Sequence, residues 1–268
     1  MMGDLVPDSL WERVEPLLPP RPPRRHQHPG RRPADDRAAL TGIVFVLKTG
    51  LGWNQLPREL LGVSGVTCWR RMRDWTEAGV WPAVHEMLLA ELRAAGALDL
   101  DRCAVDGSHV RALKRGDHVG PSPVDRGRPG SKHHLIVEAN GIPLQVSLTG
   151  GNSNDVTQLL SLVDSIPPIR GLRGRPPHLP RELFADRGYD HDKYRRMLRA
   201  RGITPRIARR GVVHGSGLGR HRWVVERGFA WLHCYKRLRT RWERRADLHL
   251  GLLQLACALI CHRRLTAL

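Results

Sequence analysis

The tightest constraint on the fold lies between His134 and Leu148. Two apolar runs, His134 to Ala139 and Ile142 to Leu148, flank Asn140-Gly141, a dipeptide that favours the tight turn of an antiparallel hairpin. Just before them, Cys103 to Asp106 reads as a short strand. After them come a helix from Asp155 to about Ser165, with Asp155 as its cap, and a strand from Glu182 to Asp186. A helix from Asp192 to Arg201, a strand from Ile203 to Ala208 and a helix opening near His221 follow. Three strands, then helix, strand, helix, strand and helix is the order of an α/β unit around a mixed sheet.

The first 96 residues carry a different pattern. Apolar residues recur at helical spacing in Asp8 to Leu18 (capped by Asp8 or Ser9), Asp36 to Thr49, Pro57 to Leu61, Val66 to Ala78 and Trp81 to Ala95. Pro19 to Arg32 is an extended connector rich in Pro and Arg. Ser64 is placed to cap the fourth helix, whose Thr67-Cys-Trp-Arg-Arg-Met-Arg-Asp-Trp alternates basic and aromatic positions. Helix, turn and basic helix is the layout of a helix-turn-helix reader, with Arg70, Arg71 and Arg73 facing DNA phosphates; a plain helical bundle is the alternative. The expected division is a small all-α domain at 1–96 and an α/β domain at 97–268, with 111–131 a mobile basic loop.

Charge narrows the partners. The chain of 268 residues has a net charge of +18, and from residue 201 onward 15 Lys and Arg stand against 3 acids. Local excess of this kind points to a polyanion, above all nucleic acid. The five cysteines form no CxxC pair, which argues for reduced thiols in the cytoplasm rather than a disulfide framework. No secretory signal is expected at the N-terminus, where Asp4, Asp8 and Glu12 interrupt apolar runs. Leu248 to Cys261 is too short to span a bilayer.

Three carboxylates stand out. Asp106 and Asp186 each close an apolar strand shortly before a Gly, on the sheet edge where open α/β folds bind ligands. Glu226 is the only acid between Asp192 and Glu243, on a segment read as one helix from His221 to Arg241. In that helix Arg222, Glu226, His233 and Arg237 would share one polar stripe. Taken singly, Asp-Gly marks a turn and Arg222–Glu226 an i,i+4 ion pair. Together they form a hard-oxygen set suited to Mg²⁺, two ions of which would flank a scissile phosphate. Other groups read as structural. His109, His118, His133 and His134 with Cys103 match no zinc spacing. Cys257, Cys261 and His262 belong to an apolar helix, and Asp190 and Asp192 to caps or turns. Trp69, Trp75 and Trp231 read as core, with base stacking as the alternative.

Four segments carry a resemblance: Val105-Asp-Gly-Ser-His-Val-Arg-Ala, Leu148-Thr-Gly-Gly-Asn-Ser-Asn-Asp, Ala185-Asp-Arg-Gly-Tyr-Asp and Arg222-Trp-Val-Val-Glu-Arg-Gly-Phe-Ala-Trp-Leu. They resemble bacterial insertion-sequence transposases of the DDE type, in the insertion-sequence five group and the wider insertion-sequence four superfamily. The resemblance implies a ribonuclease-H-like catalytic core behind a helix-turn-helix-like domain. Asp106, Asp186 and Glu226 would then be the catalytic, metal-binding triad, with two Mg²⁺ ions (Mn²⁺ substituting). The implied activity is binding of the element's terminal inverted repeats, phosphodiester hydrolysis and strand transfer, by a homodimer on double-stranded DNA. The alternatives are a catalytically inactive, transposase-derived DNA-binding protein and a nuclease without strand transfer. The family's third-carboxylate motif places Tyr where this chain has Gly219 and Lys where it has His233. Phosphate contacts would fall to Arg222 and His233, with Lys236 or Arg237 substituting. Asp155 also matches a family position near the triad.

Overall fold

The computed structural model describes residues 5–21, 27, 32–212 and 219–268, Arg220 by its backbone alone. Most of the connector Pro19 to Arg32, and the Gly-rich stretch before Gly219, lie outside the described residues.

Five helices come first: α1 (Asp8–Val14), α2 (Asp36–Thr49), α3 (Arg58–Leu61), α4 (Gly65–Glu77) and α5 (Val80–Ala94). Ser64 caps α4 as expected, accepting from the Thr67 amide, and Cys68, Met72 and Trp75 turn inward. The expected side-chain cap of α1 is not made. Pro7 occupies the cap position instead, and Asp8 is already in the first turn.

The sheet contains β1 (Arg102–Ala112), β2 (Gly120–Pro121), β3 (Pro129–Glu138), β4 (Pro143–Gly150), β5 (Glu182–Ala185), β6 (Thr204–Ile207) and β7 (Thr240–Arg241). Its main order is β4-β3-β1-β5-β6. β4, β3 and β1 run antiparallel, and β5 and β6 are parallel to β1. This is a mixed sheet, as the element order predicted, with the Asn140-Gly141 hairpin at its antiparallel edge. Three more helices complete the core: α6 (Leu159–Asp164), α7 (Asp192–Ala200) and α8 (Gly219–His233). Asn154, not Asp155, caps the short 3₁₀ turn that leads into α6.

Two expectations about the central strand fail. Gly107 was expected to end it, yet β1 runs on to Ala112 because β3 pairs with it residue by residue from Cys103↔Glu138 to Arg111↔Gly130. A strand partner on that side supplies the ladder that outweighs glycine's weak preference for extended chain. Residues 111–131 are therefore not a single loop: β1 and β3 take its ends, β2 lies in its middle, and 113–119 and 122–128 stay irregular. β2 adds to β3, and the buried Arg241 guanidinium donates to the carbonyls of Asp117 and His118.

The third-carboxylate helix is also shorter than its sequence suggests. α8 stops at His233, and a 3₁₀ turn at Lys236–Leu238 leads into β7, which pairs with Arg111 and Ala112. Lys236 and Arg237 thus leave the stripe that holds Arg222, Glu226 and His233. Arg237 is pulled inside, donating to Glu243 at 2.7 and 2.9 Å and to the carbonyl of Leu51 at 3.0 Å.

The last helix, α9 (Ala246–Leu265), is apolar on nearly all sides and buried accordingly, Cys257 and Cys261 included. It touches α4, α5, α8 and β4. The N-terminal helices and the sheet consequently share one hydrophobic core.

Candidate active site

The strand register brings the two aspartates together. Cys103 pairs with Leu183 and Ala104 with Phe184; two residues further along each parallel strand stand Asp106 and Asp186. Equal offset places both on the same face, about 4.8 Å apart from strand to strand. Asp106 also lies opposite Leu135, on the side of the sheet that α8 covers. Asp186 caps the 3₁₀ turn Arg187–Tyr189 by accepting from the Gly188 amide at 2.8 Å.

Asp106 is charged only at a cost. Its Oδ1 accepts from the Gly107 amide at 2.8 Å, and its Oδ2 from Arg222 Nη2 at 3.1 Å. Burial nevertheless pushes its pKa up to about 6, against those two bonds, and the nearby carboxylates of Asp186 and Asp155 push the same way. Tyr189 lies beneath this group, 1% exposed, and its hydroxyl finds no hydrogen-bond partner among the described residues. Burial and then the charges of Asp106, Asp155 and Asp186 raise the phenol well above its usual range, so it stays a neutral donor facing carboxylates.

Asp155, expected to cap a helix, instead joins the cluster. Lys132 Nζ, itself buried, reaches its Oδ1 at 3.0 Å and donates to the Ser153 carbonyl at 2.7 Å. His134 Nδ1 stands 3.6 Å from the same oxygen, and its Nε2 is 2.7 Å from Thr149 Oγ1. Gly107 makes room for that carboxylate: a Cβ there would lie 2.6 Å from Asp155 Oδ1, and one of the two would have to shift. The Asp-Gly dipeptide is thus a packing requirement, not a turn.

Glu226 is on α8 one helical turn beyond Arg222, on the same face and exposed. Among the described residues it has no hydrogen bond or ion pair, and no three of His, Cys, Asp and Glu stand close enough to hold a metal ion. Arg222, not Glu226, is the α8 side chain that reaches Asp106. The remaining expected DNA contacts are dispersed. Arg70 is exposed on α4; Arg71 pairs with Asp36 at 2.9 Å; Arg73 lies over the Trp69 ring and pairs with Asp74. His233 stacks near Phe229, and burial with neighbouring Arg239 holds it below the usual imidazole range, hence neutral. Lys236 is exposed, and Arg237 is taken up by Glu243.

Sequence reasoning missed Lys132 and Tyr189 and ranked Asp155 low. The Tyr of Ala185-Asp-Arg-Gly-Tyr carries a resemblance but no chemistry of its own in the sequence, and an isolated Lys in a strand carries no signal by itself. Also unforeseen was a buried chain on the α8 side. His133 Nε2 stands 2.9 Å from His249 Nε2, and His249 Nδ1 3.2 Å from Glu243.

Comparisons with known proteins agree on one family. Residues 6–85 match the family described as "Putative transposase of IS4/5 family", and residues 98–261 match "Transposase DDE domain". "Putative transposase for insertion sequence element IS402" from Burkholderia cepacia is 64% identical over 143 residues, covering 53% of this chain and 68% of that protein. "Putative transposase for insertion sequence element IS6501" from Brucella ovis is 29% identical over 136 residues, covering 48% of this chain and 96% of that one. Among solved structures, the Mos1 strand transfer complex aligns with a TM-score of 0.35 at 10% identity, over 88% of this chain and 77% of that chain. Likeness at that level does not define a fold. The two family matches and the IS402 relative do define the lineage: the chain belongs to the DDE-domain transposases of bacterial insertion sequences, in the IS4/5 group.

Proposed function

We propose that this transposase binds the terminal inverted repeats of its own element as a homodimer in the cytoplasm, and that Asp106, Asp186 and Glu226 carry Mg²⁺-dependent cleavage and strand transfer. The observation that supports the site is the parallel register Ala104↔Phe184, with Asp106 and Asp186 each two residues further along its own chain. A DDE transposase uses divalent metal, and these residues suit one. They are hard oxygens, burial and neighbouring carboxylates disfavour the charge on Asp106 despite Arg222, and the Tyr189 hydroxyl is buried beside them without a partner among the described residues. Two bound ions would activate water or a DNA 3′-hydroxyl and stabilise the leaving oxygen.

The protein's own groups do the rest. Gly188 and Gly107 amides hold the two aspartates in fixed rotamers. Lys132 holds Asp155 in the opening left by Gly107, where its charge keeps Asp106 a basic carboxylate. Arg222 neutralises Asp106 in the free protein; with DNA bound it turns to a phosphate, its planar fork suited to that partner. Glu226, one turn along the same face, then completes the carboxylate set. α4 presents Arg70 and Arg73 to duplex DNA.

The test is incubation of the full chain with DNA carrying the element ends in Mg²⁺. Nicked and joined products are expected from wild type and none from Asp186→Asn. Cleavage that persists in Asp186→Asn would sink the assignment, and end binding without products from wild type would favour the inactive DNA-binding protein.

A further inference from the structure

A cavity lies away from the carboxylates, where α4 meets the far end of β1. Its volume is about 460 Å³, within the range of about 300–1,000 Å³ usual for ligand sites. Three indoles line it, Trp53, Trp69 and Trp242, with Val66 and Lys114 at its rim. Trp242 is 40% and Val66 49% exposed. Exposed apolar surface of this kind on a strongly basic protein calls for an occupant.

The walls are built, not incidental. Gly65 opens α4, and a Cβ there would lie 1.7 Å from the Trp53 carbonyl oxygen, so only glycine lets the Trp53 turn seat against the helix. Arg237 lies over the rings of both Trp53 and Trp242, 5.9 and 5.7 Å from their centroids, while Glu243 and the Leu51 carbonyl hold its guanidinium. The arginine that sequence alone assigned to a phosphate is a bracket between two indoles. Among the described residues no indole of the three stacks on another, and neither Lys114 nor Arg70 has a hydrogen bond or ion pair. Val66, Trp69, Arg70 and Arg73 follow at i, i+3, i+4 and i+7, so the basic face of α4 continues into this cavity.

We infer that this cavity takes an unpaired nucleotide of bound DNA, its base stacked on the indoles and its phosphate beside Lys114. Charge complementarity selects nucleic acid over an apolar peptide, and three indole walls favour stacking on a base face, with Asn54 and Gln55 the polar side chains beside them. The inference rests on the DNA-binding function proposed above and adds an unstacked, sequence-tolerant contact near the strand that carries Asp106.

The experiment measures fluorescence anisotropy of three labelled probes at one salt concentration, using the full chain. The probes are a short oligo-dT strand, an abasic strand of equal length and charge, and a duplex. Wild type is expected to bind oligo-dT roughly tenfold tighter than the abasic strand. Trp242→Ala should lose about that factor on oligo-dT and nothing on the duplex, and Trp242→Phe should recover most of it. Equal affinity of wild type for oligo-dT and the abasic strand overturns the inference without any variant. So does a Trp242→Ala loss shared equally by the duplex. Cleavage of element ends is scored separately, so either result leaves the proposed function standing; failure of wild type to bind any probe removes both.

Discussion

Replacing Asp106 with Asn should stabilise this protein at neutral pH while abolishing its chemistry. In the folded chain burial lifts Asp106 from an ordinary 3.8 to about 6, with Asp186 and Asp155 adding to the lift and Gly107 and Arg222 opposing it. At 1.36 kcal/mol for each pH unit, that rise corresponds to about 3 kcal/mol between the protonated and charged forms. The folded pKa exceeds the unfolded one, so the fold binds the proton more tightly. The associated stability is present below about pH 4 and is lost as pH rises through about 6. Asparagine mimics the protonated form and escapes that loss, for a gain of about 2–3 kcal/mol at pH 8, or roughly 5–10 °C in Tm for a chain of this size. Thermal melting of wild type and Asp106→Asn from about pH 4 to pH 8, in EDTA, reads the effect. The two curves should coincide at the acid end, separate between about pH 4 and pH 6, and run parallel above that. Mg²⁺ added at pH 8 should then raise the wild-type Tm alone, since binding stabilises only the chain that retains the site. A variant no more stable than wild type at pH 8, or equally shifted at every pH, would refute the claim that Asp106 is held in an unfavourable charge state.

Gly107→Ala should destabilise by about 1–3 kcal/mol in urea titrations, because its Cβ would press on Asp155 Oδ1, and Asp155→Ala in the same chain should recover most of the loss. Glu226→Gln should leave melting and end binding intact, since Glu226 is exposed, yet lower cleavage by at least about a hundredfold. Unchanged cleavage rates would remove Glu226 from the site. Arg237→Ala should cost about 3–5 kcal/mol by leaving Glu243 buried without its arginine, where loss of the arginine from an exposed pair such as Arg201–Asp164 would cost less than about 1 kcal/mol. A double-mutant cycle with Glu243→Gln separates that pair from the rings around it.

Much of this architecture was legible in the residues themselves. The hairpin about Asn140-Gly141, the cap at Ser64 and the strand Glu182–Ala185 followed from local chemistry, and local chemistry survived folding. What failed was set by distant partners. Gly107 reads as a breaker until β3 is laid beside it. Lys236-Arg-Leu reads as helix until Glu243 draws Arg237 inward and β7 finds the end of β1. At the site, Asp106 and Asp186 were visible because each ends an apolar run of its own chain segment. Lys132, Asp155 and Tyr189 were not, because their meaning lies in proximity to one another across dozens of residues.

The buried helix α9 has a consequence for where such an enzyme cuts. It packs against α4 and α5 on one side and β4 on the other, within a single core. The surface of α4 and the aspartates of β1 and β5 are therefore fixed to one rigid frame, not joined by a tether. If α4 grips DNA and the aspartates cut it, as proposed, the spacing between the base pairs gripped and the bond broken would be a property of the protein interior, as fixed as the separation of two jaws on a caliper. A change of cut position would then come from repacking leucines far from any DNA.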